Sequence, residues 1–141
     1  MRIVAMLFVF FACVFCGAKG AEAAVEARIN ISTQHMQVFV DGVQQYDWQI
    51  SSARRGYVTP KGVYQPQEMY KKYYSHKYHN SPMPHSIFFA GGYAVHGTVE
   101  TRNLGKPASH GCIRLDPKNA EALYSLVTQH GKTNTRIVIQ Q

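Results

Sequence analysis

Two runs of alternating polar and apolar residues flank Asp41-Gly42, and this arrangement narrows the possible folds more than any other feature of the chain. Arg28-Ile29-Asn30-Ile31-Ser32 alternates, and Met36, Val38 and Val40 alternate with Gln37 and Phe39. A period of two puts successive side chains on opposite faces of a strand. Asp-Gly accepts the positive φ values that a tight two-residue hairpin requires. Val43 to Ser51 reads as a third strand with Tyr46, Trp48 and Ile50 on one face. The chain is therefore expected to begin as three antiparallel strands, the start of a mainly β domain.

Further along, Thr59-Pro60-Lys61-Gly62 is a turn that feeds a short strand at Val63-Tyr64. Residues 65–82 mix Tyr70, Tyr73, Tyr74 and Tyr78 with Lys71, Lys72, Lys77, His76 and His79 and lack sustained alternation. This segment is expected to be a loop with broken strand pieces, either a solvated connection or a lid or wall for an extended substrate. Ser86 to Ala90 is an apolar strand broken by Gly91-Gly92, and Tyr93-Ala94-Val95 leads into His96-Gly97-Thr98. Ile113 to Leu115 is a short strand. Asp116 and Pro117 suit an N-cap and a first helical residue. Ala120, Leu123, Tyr124 and Val127 fall on one helical face, Gly131 stops the helix, and Arg136 to Ile139 is a last strand. One clear helix near the C-terminus is expected within a single domain.

The N-terminus is of another kind. Arg2 precedes 13 uninterrupted apolar residues, Ile3 to Phe15, and small residues follow. That is the layout of a secretory signal peptide, and the run is shorter than the roughly 20 residues that span a bilayer. Cleavage fits after Gly20 or, preferred here, after Ala23. Residues 1–23 are thus expected to be a signal peptide and 24–141 the exported domain, with residence in the periplasm or cell envelope. An uncleaved anchor, or lipidation of Cys13 or Cys16, is the alternative. The 118 residues left carry 13 basic and 7 acidic side chains, a net charge of +6. This mild basicity suits an anionic wall or headgroup surface. The basic residues are scattered, so nucleic acid is not an expected partner, and a monomer is expected.

Removal of residues 1–23 leaves Cys112 as the single cysteine. An intramolecular disulfide is then excluded. A reactive thiol, a metal ligand and an inert buried side chain stay open. Its neighbours bear on the choice. His110 and Arg114 lie two residues to either side, so in a strand-like segment all three share one face. An imidazolium or guanidinium beside a thiol favours the thiolate. Gly111 removes a side chain between them and lets the backbone N–H of Cys112 approach an oxyanion. His96, followed by Gly97, ends another strand and is a candidate base. His76 and His79 lack a third ligand at metal spacing.

His96-Gly97-Thr98, a connection containing Gly105 and Pro107, and then Ser109-His110-Gly111-Cys112-Ile113-Arg114-Leu115 resembles the signature of bacterial L,D-transpeptidases. The resemblance extends over roughly residues 27–140, with no additional wall-binding module expected. It implies a β-sandwich-like catalytic domain that needs no metal or other cofactor and acts on peptidoglycan stem peptides. By position it makes Cys112 the nucleophile and His96 the base and later acid, with the Gly97 carbonyl orienting the imidazole. His110 and the N–H groups of Gly111 and Cys112 would hold the oxyanion. Arg114 would bind a substrate carboxylate, and Ser109, placed with it at the substrate side, would orient His110. The acyl acceptor would be a diamino acid on a neighbouring stem, a wall-anchored lipoprotein, a free D-amino acid or water. An inactive wall-binding module, or a metal site made of Cys112, His96 and His110, is the competing reading.

Overall fold

The computed structural model describes residues 22–141. The expected signal sequence, with Cys13 and Cys16, lies almost wholly outside the described residues. Among those that are described, no helix is long and apolar enough to cross a membrane.

The chain forms β1 (Val25–Asn30), β2 (His35–Val40), β3 (Val43–Gln49), β4 (Gly62–Tyr64), β5 (Met69–Tyr70), β6 (Tyr74–Ser75), β7 (Ser81–Pro82), β8 (Ser86–Ala90), β9 (Tyr93–Gly97), β10 (Ile113–Leu115), helix α1 (Pro117–His130) and β11 (Thr135–Gln140). A five-stranded sheet has the order β3-β2-β1-β11-β4, a four-stranded sheet the order β10-β9-β8-β5, and β6 pairs with β7.

The opening hairpin follows the sequence pattern. Asp41 and Gly42 have φ of 49° and 79°, the two positive values of a type I′ turn. The first strand begins earlier than its expected start at Arg28. Val25, Ala27 and Ile29 alternate into the core with no exposed surface, and the chain turns at 31–34, where Gln34 adopts φ 57°. β3 is a sheet edge, largely exposed, with Tyr46 and Trp48 stacked at 4.6 Å. It ends at Gln49, short of the expected Ser51. Ile50 is buried, and Ser51 and Ala53 instead bridge to Arg114 and Ser109 of the other half of the fold.

Both sheets contribute to one core. Ile29, Met36, Val38 and Ile137 from the first sheet meet Ile87, Phe89, Ile113 and Leu115 from the second. Each such burial contributes about 1.5–3 kcal/mol. Helix α1 adds Ala120, Leu123 and Val127. Its start is capped as expected, the Asp116 carboxylate accepting the Lys118 N–H at 2.9 Å, and Gly131 ends it at φ 94°.

Two pairings position the site. β11 runs parallel to β1 and between it and β4. β10 runs parallel to β9, with Val95 opposite Ile113, His96 opposite Arg114 and Gly97 opposite Leu115.

Candidate active site

Cys112 immediately precedes β10, and the Ala94 N–H of β9 donates to its Sγ at 3.4 Å. Ile113 and Leu115 point into the core, so the alternation turns Cys112 and Arg114 to the other face. Residues in register on adjacent strands share a face, and His96 therefore lies on that face too, opposite Arg114. Cys112, His96, Arg114, Ser109 and His110 line a single cleft of about 360 Å³.

His96 is almost completely buried, and its Nδ1 is 2.7 Å from the Gly97 carbonyl oxygen. A carbonyl oxygen only accepts, so Nδ1 carries the proton and Nε2 is the ring's lone-pair nitrogen. Burial, reinforced by the Arg114 charge and opposed by the Gly97 bond, lowers the His96 pKa to about 4. The ring is neutral near pH 7. Burial likewise raises the Cys112 pKa, against the smaller lowering effects of the Ala94 N–H and Arg114. The resting pair is a thiol and a neutral imidazole, whereas the neighbours in sequence pointed toward a thiolate.

Gly97 has its own steric requirement. A Cβ there would lie 3.0 Å from Pro84 and 3.2 Å from the Pro117 backbone. At Gly111 the demand is stronger. Its φ is 133°, and a Cβ would come within 2.5 Å of the Tyr93 ring and 2.8 Å of the Val58 carbonyl oxygen. The residue is glycine because both the backbone angle and the space exclude a side chain.

This φ value also corrects the expected strand face. His110 and Gly111 form a bend rather than an extension of β10, so His110 reaches the cleft by the turn. There its ring stacks on Tyr78 at 4.1 Å and 5°, meets Tyr57 edge-on at 4.7 Å, and places Nε2 3.1 Å from Arg54 Nη2. Partial burial, then Arg54, Arg114 and Lys77, lower its pKa.

The Ser109 hydroxyl bonds to the turn backbone rather than to the His110 ring. It is buried, accepts the Gly111 N–H at 3.0 Å and donates to the Cys112 carbonyl at 2.6 Å. Those bonds close the turn that presents the thiol. They also occupy the Gly111 N–H, which the resemblance had assigned to the oxyanion. Arg114 Nη1 lies 3.3 Å from Glu100 Oε2 on the cleft rim.

Several residues of the site carried no local signal in the sequence. Thr59 donates to the Gly111 carbonyl at 2.8 Å and accepts the Ala53 N–H at 3.0 Å. Arg54 arrives through the 51–54 segment, which is held by backbone bonds to Ser109 and Arg114. Ser75, Lys77, Tyr78, Ser81 and Pro82 form one wall, giving the 65–82 segment the wall position considered for it. Among the described residues, no three His, Cys, Asp or Glu side chains converge as a metal-binding group.

A two-sheet β domain whose cleft holds a thiol, a neutral imidazole and a guanidinium has the parts of a cysteine-dependent acyl-transfer fold. The chain belongs to the YkuD family: the family's model, the L,D-transpeptidase catalytic domain, matches residues 24–139. Solved structures share this fold. An L,D-transpeptidase from Mycobacterium smegmatis superposes with a TM-score of 0.74 at 22% identity, over 84% of this chain and 59% of that one. One from Stackebrandtia nassauensis gives 0.74 at 21% identity, over 92% and 62%. L,D-transpeptidase 3 from Mycobacterium tuberculosis, solved with a faropenem-derived adduct, gives 0.72 at 21% identity, over 84% and 60%. The chain thus spans about three-fifths of the length of these proteins. No curated protein matches it.

Proposed function

We propose that this chain is an exported cysteine acyltransferase of peptidoglycan stem peptides, with residues 1–23 as its signal peptide. The observation that carries the reading is that Cys112 and His96 line one cleft. The two share one face of β9–β10 and one cleft, and the Gly97 carbonyl leaves Nε2 of the imidazole as the basic atom.

The chemistry follows from that pair. The thiol is protonated at rest, so His96 Nε2 takes its proton as Sγ attacks the carbonyl of the third stem residue. A carbon–sulfur bond forms and a tetrahedral oxyanion develops. Of the expected donors, the Cys112 N–H and the His110 ring remain to hold it, because the Gly111 N–H is committed to Ser109. Collapse breaks the bond to the terminal D-alanine, whose nitrogen collects the proton from His96, leaving a thioester. An amine then attacks the thioester and His96 takes its proton; the carbon–sulfur bond breaks, the new amide is released, and the proton returns to Sγ. Arg114 offers a fork of donors to a substrate carboxylate. The amine is supplied by a neighbouring stem, a lipoprotein or a free D-amino acid.

Two mass measurements test this. A carbapenem should add its whole mass to wild-type protein and nothing to Cys112→Ala; an unmodified wild type, or a modified variant, overturns the assignment. With purified tetrapeptide stems, a cross-linked dimer or an exchanged D-amino acid supports transfer. Shortened stems alone would reassign the acceptor to water.

A further inference from the structure

Among the described residues, Arg54 alone makes a hydrogen-bond contact to a ring nitrogen of the cleft histidine His110. Its Nη2 lies 3.1 Å from Nε2 of His110. A guanidinium has donors and no acceptor, so this contact is a hydrogen bond only when Nε2 carries a lone pair. The neutral ring then keeps its single proton on Nδ1.

The surroundings make this arrangement a built one. The His110 ring is stacked on Tyr78 and braced edge-on by Tyr57, which fixes its plane. Within that plane, a half-turn about the ring's bond would exchange its nitrogen and carbon positions, and the Arg54 bond selects one of the two. Arg54 is itself anchored. Its guanidinium carbon lies 5.1 Å from the centre of the Tyr57 ring, and its backbone N–H donates to the Ser109 carbonyl at 2.9 Å. Arg54, Tyr57, His110 and Tyr78 therefore form one cluster beside the nucleophile turn.

We infer that Arg54 is a positioning residue that holds His110 as the Nδ1–H tautomer, so that the ring offers its only proton to the oxyanion on Cys112. The inference rests on the acyl-transfer reading above. Without Arg54 the ring is free to move its proton to Nε2 or to flip, and the oxyanion loses an aligned donor at the moment charge develops. The ground state is little affected, because a carbonyl oxygen needs that donor far less than an alkoxide does.

The experiment uses nitrogen-15-labelled protein in wild-type, Arg54→Met and Arg54→Lys forms, with His110→Gln to assign the ring signals. Long-range proton–nitrogen correlation spectra report the tautomer directly. Wild type should show His110 protonated at Nδ1. Arg54→Met should shift it toward Nε2–H or a mixture, and Arg54→Lys, which keeps a cationic donor group without the planar fork, should fall between. The rate of carbapenem acylation at saturation should drop roughly 10- to 100-fold in Arg54→Met, with little change in half-saturation, part of the loss seen when an oxyanion donor is removed outright. Arg54 is exposed, and the Lys variant retains its charge, so one of the two is expected to fold. An Nε2–H signal in wild type, or an unchanged tautomer in Arg54→Met, overturns the inference while leaving the adduct on Cys112 intact. Absence of any adduct on wild type overturns the acyl-transfer reading instead.

Discussion

His96 and Arg114 face each other across parallel strands, a buried neutral imidazole beside a half-buried guanidinium. Burial of the imidazole, reinforced by the Arg114 charge, makes the site sensitive to acid. The folded protein holds His96 at a pKa of about 4, and the unfolded chain returns it to about 6.5. Between those values the unfolded state binds more protons, so stability rises with pH and is lost as pH falls from about 6.5 toward 4. At 1.36 kcal/mol per unit, the loss at pH 4 relative to pH 7 is about 3 kcal/mol from this residue. Urea unfolding should show wild type losing about that much more than His96→Gln over the same range. Equal losses in the two proteins would contradict a buried neutral imidazole.

Gly111→Ala should damage the turn that carries Cys112. The added methyl meets the Tyr93 ring and the Val58 carbonyl at a φ that alanine adopts poorly. We expect a cost of about 2–3 kcal/mol in unfolding free energy. The acylation rate should fall by at least 100-fold, because the sulfur is displaced from its near-attack position. A variant with normal melting temperature and rate would mean that the turn tolerates a Cβ.

Ser109→Ala removes the acceptor of the buried Gly111 N–H and the donor to the Cys112 carbonyl. Leaving such a group unpaired costs about 1–3 kcal/mol. Ser109→Thr keeps the hydroxyl and should recover part of the stability. If Ser109 instead bound substrate, Ser109→Ala would raise the Michaelis constant at unchanged stability. Paired melting and kinetic measurements separate the two.

Glu100→Gln should release Arg114 from its rim ion pair. Exposed pairs contribute about 0–1 kcal/mol, and Glu100 is more than half exposed, so the melting temperature should hardly move. A stem peptide with a free carboxylate should then bind several-fold tighter, while Arg114→Gln should bind it several-fold more weakly. Identical Michaelis constants in all three proteins would remove Arg114 from carboxylate recognition.

Much of this fold was legible in short stretches. The Asp41-Gly42 turn, the inward alternation of Met36 and Val38, and the Asp116-capped helix depend on backbone geometry within a few residues. The Cys112–Arg114 face was also readable, because alternation along β10 is local. His110 was read onto that face by the same rule and reaches the cleft differently, since Gly111 takes a positive φ that breaks the alternation. The local chain carries no signal of which φ a glycine adopts; the Tyr93 ring and the Val58 carbonyl decide it.

What the sequence determined by itself was the inventory: a mainly β domain, a thiol with imidazoles before it and a guanidinium after it, and the order in which they occur. The parallel pairing of β9 with β10 placed His96 opposite Arg114 and in one cleft with Cys112, and it depends on a crossover whose course no local pattern encodes. Tertiary structure alone recruited Arg54 and Thr59, which lie 58 and 53 residues from Cys112 in the chain, and selected Tyr78 from the 65–82 segment as the partner of His110. It alone made the resting thiol and imidazole neutral as well. Contact between distant segments and exclusion of water are properties of the packed fold, and they set the protonation states on which the chemistry depends.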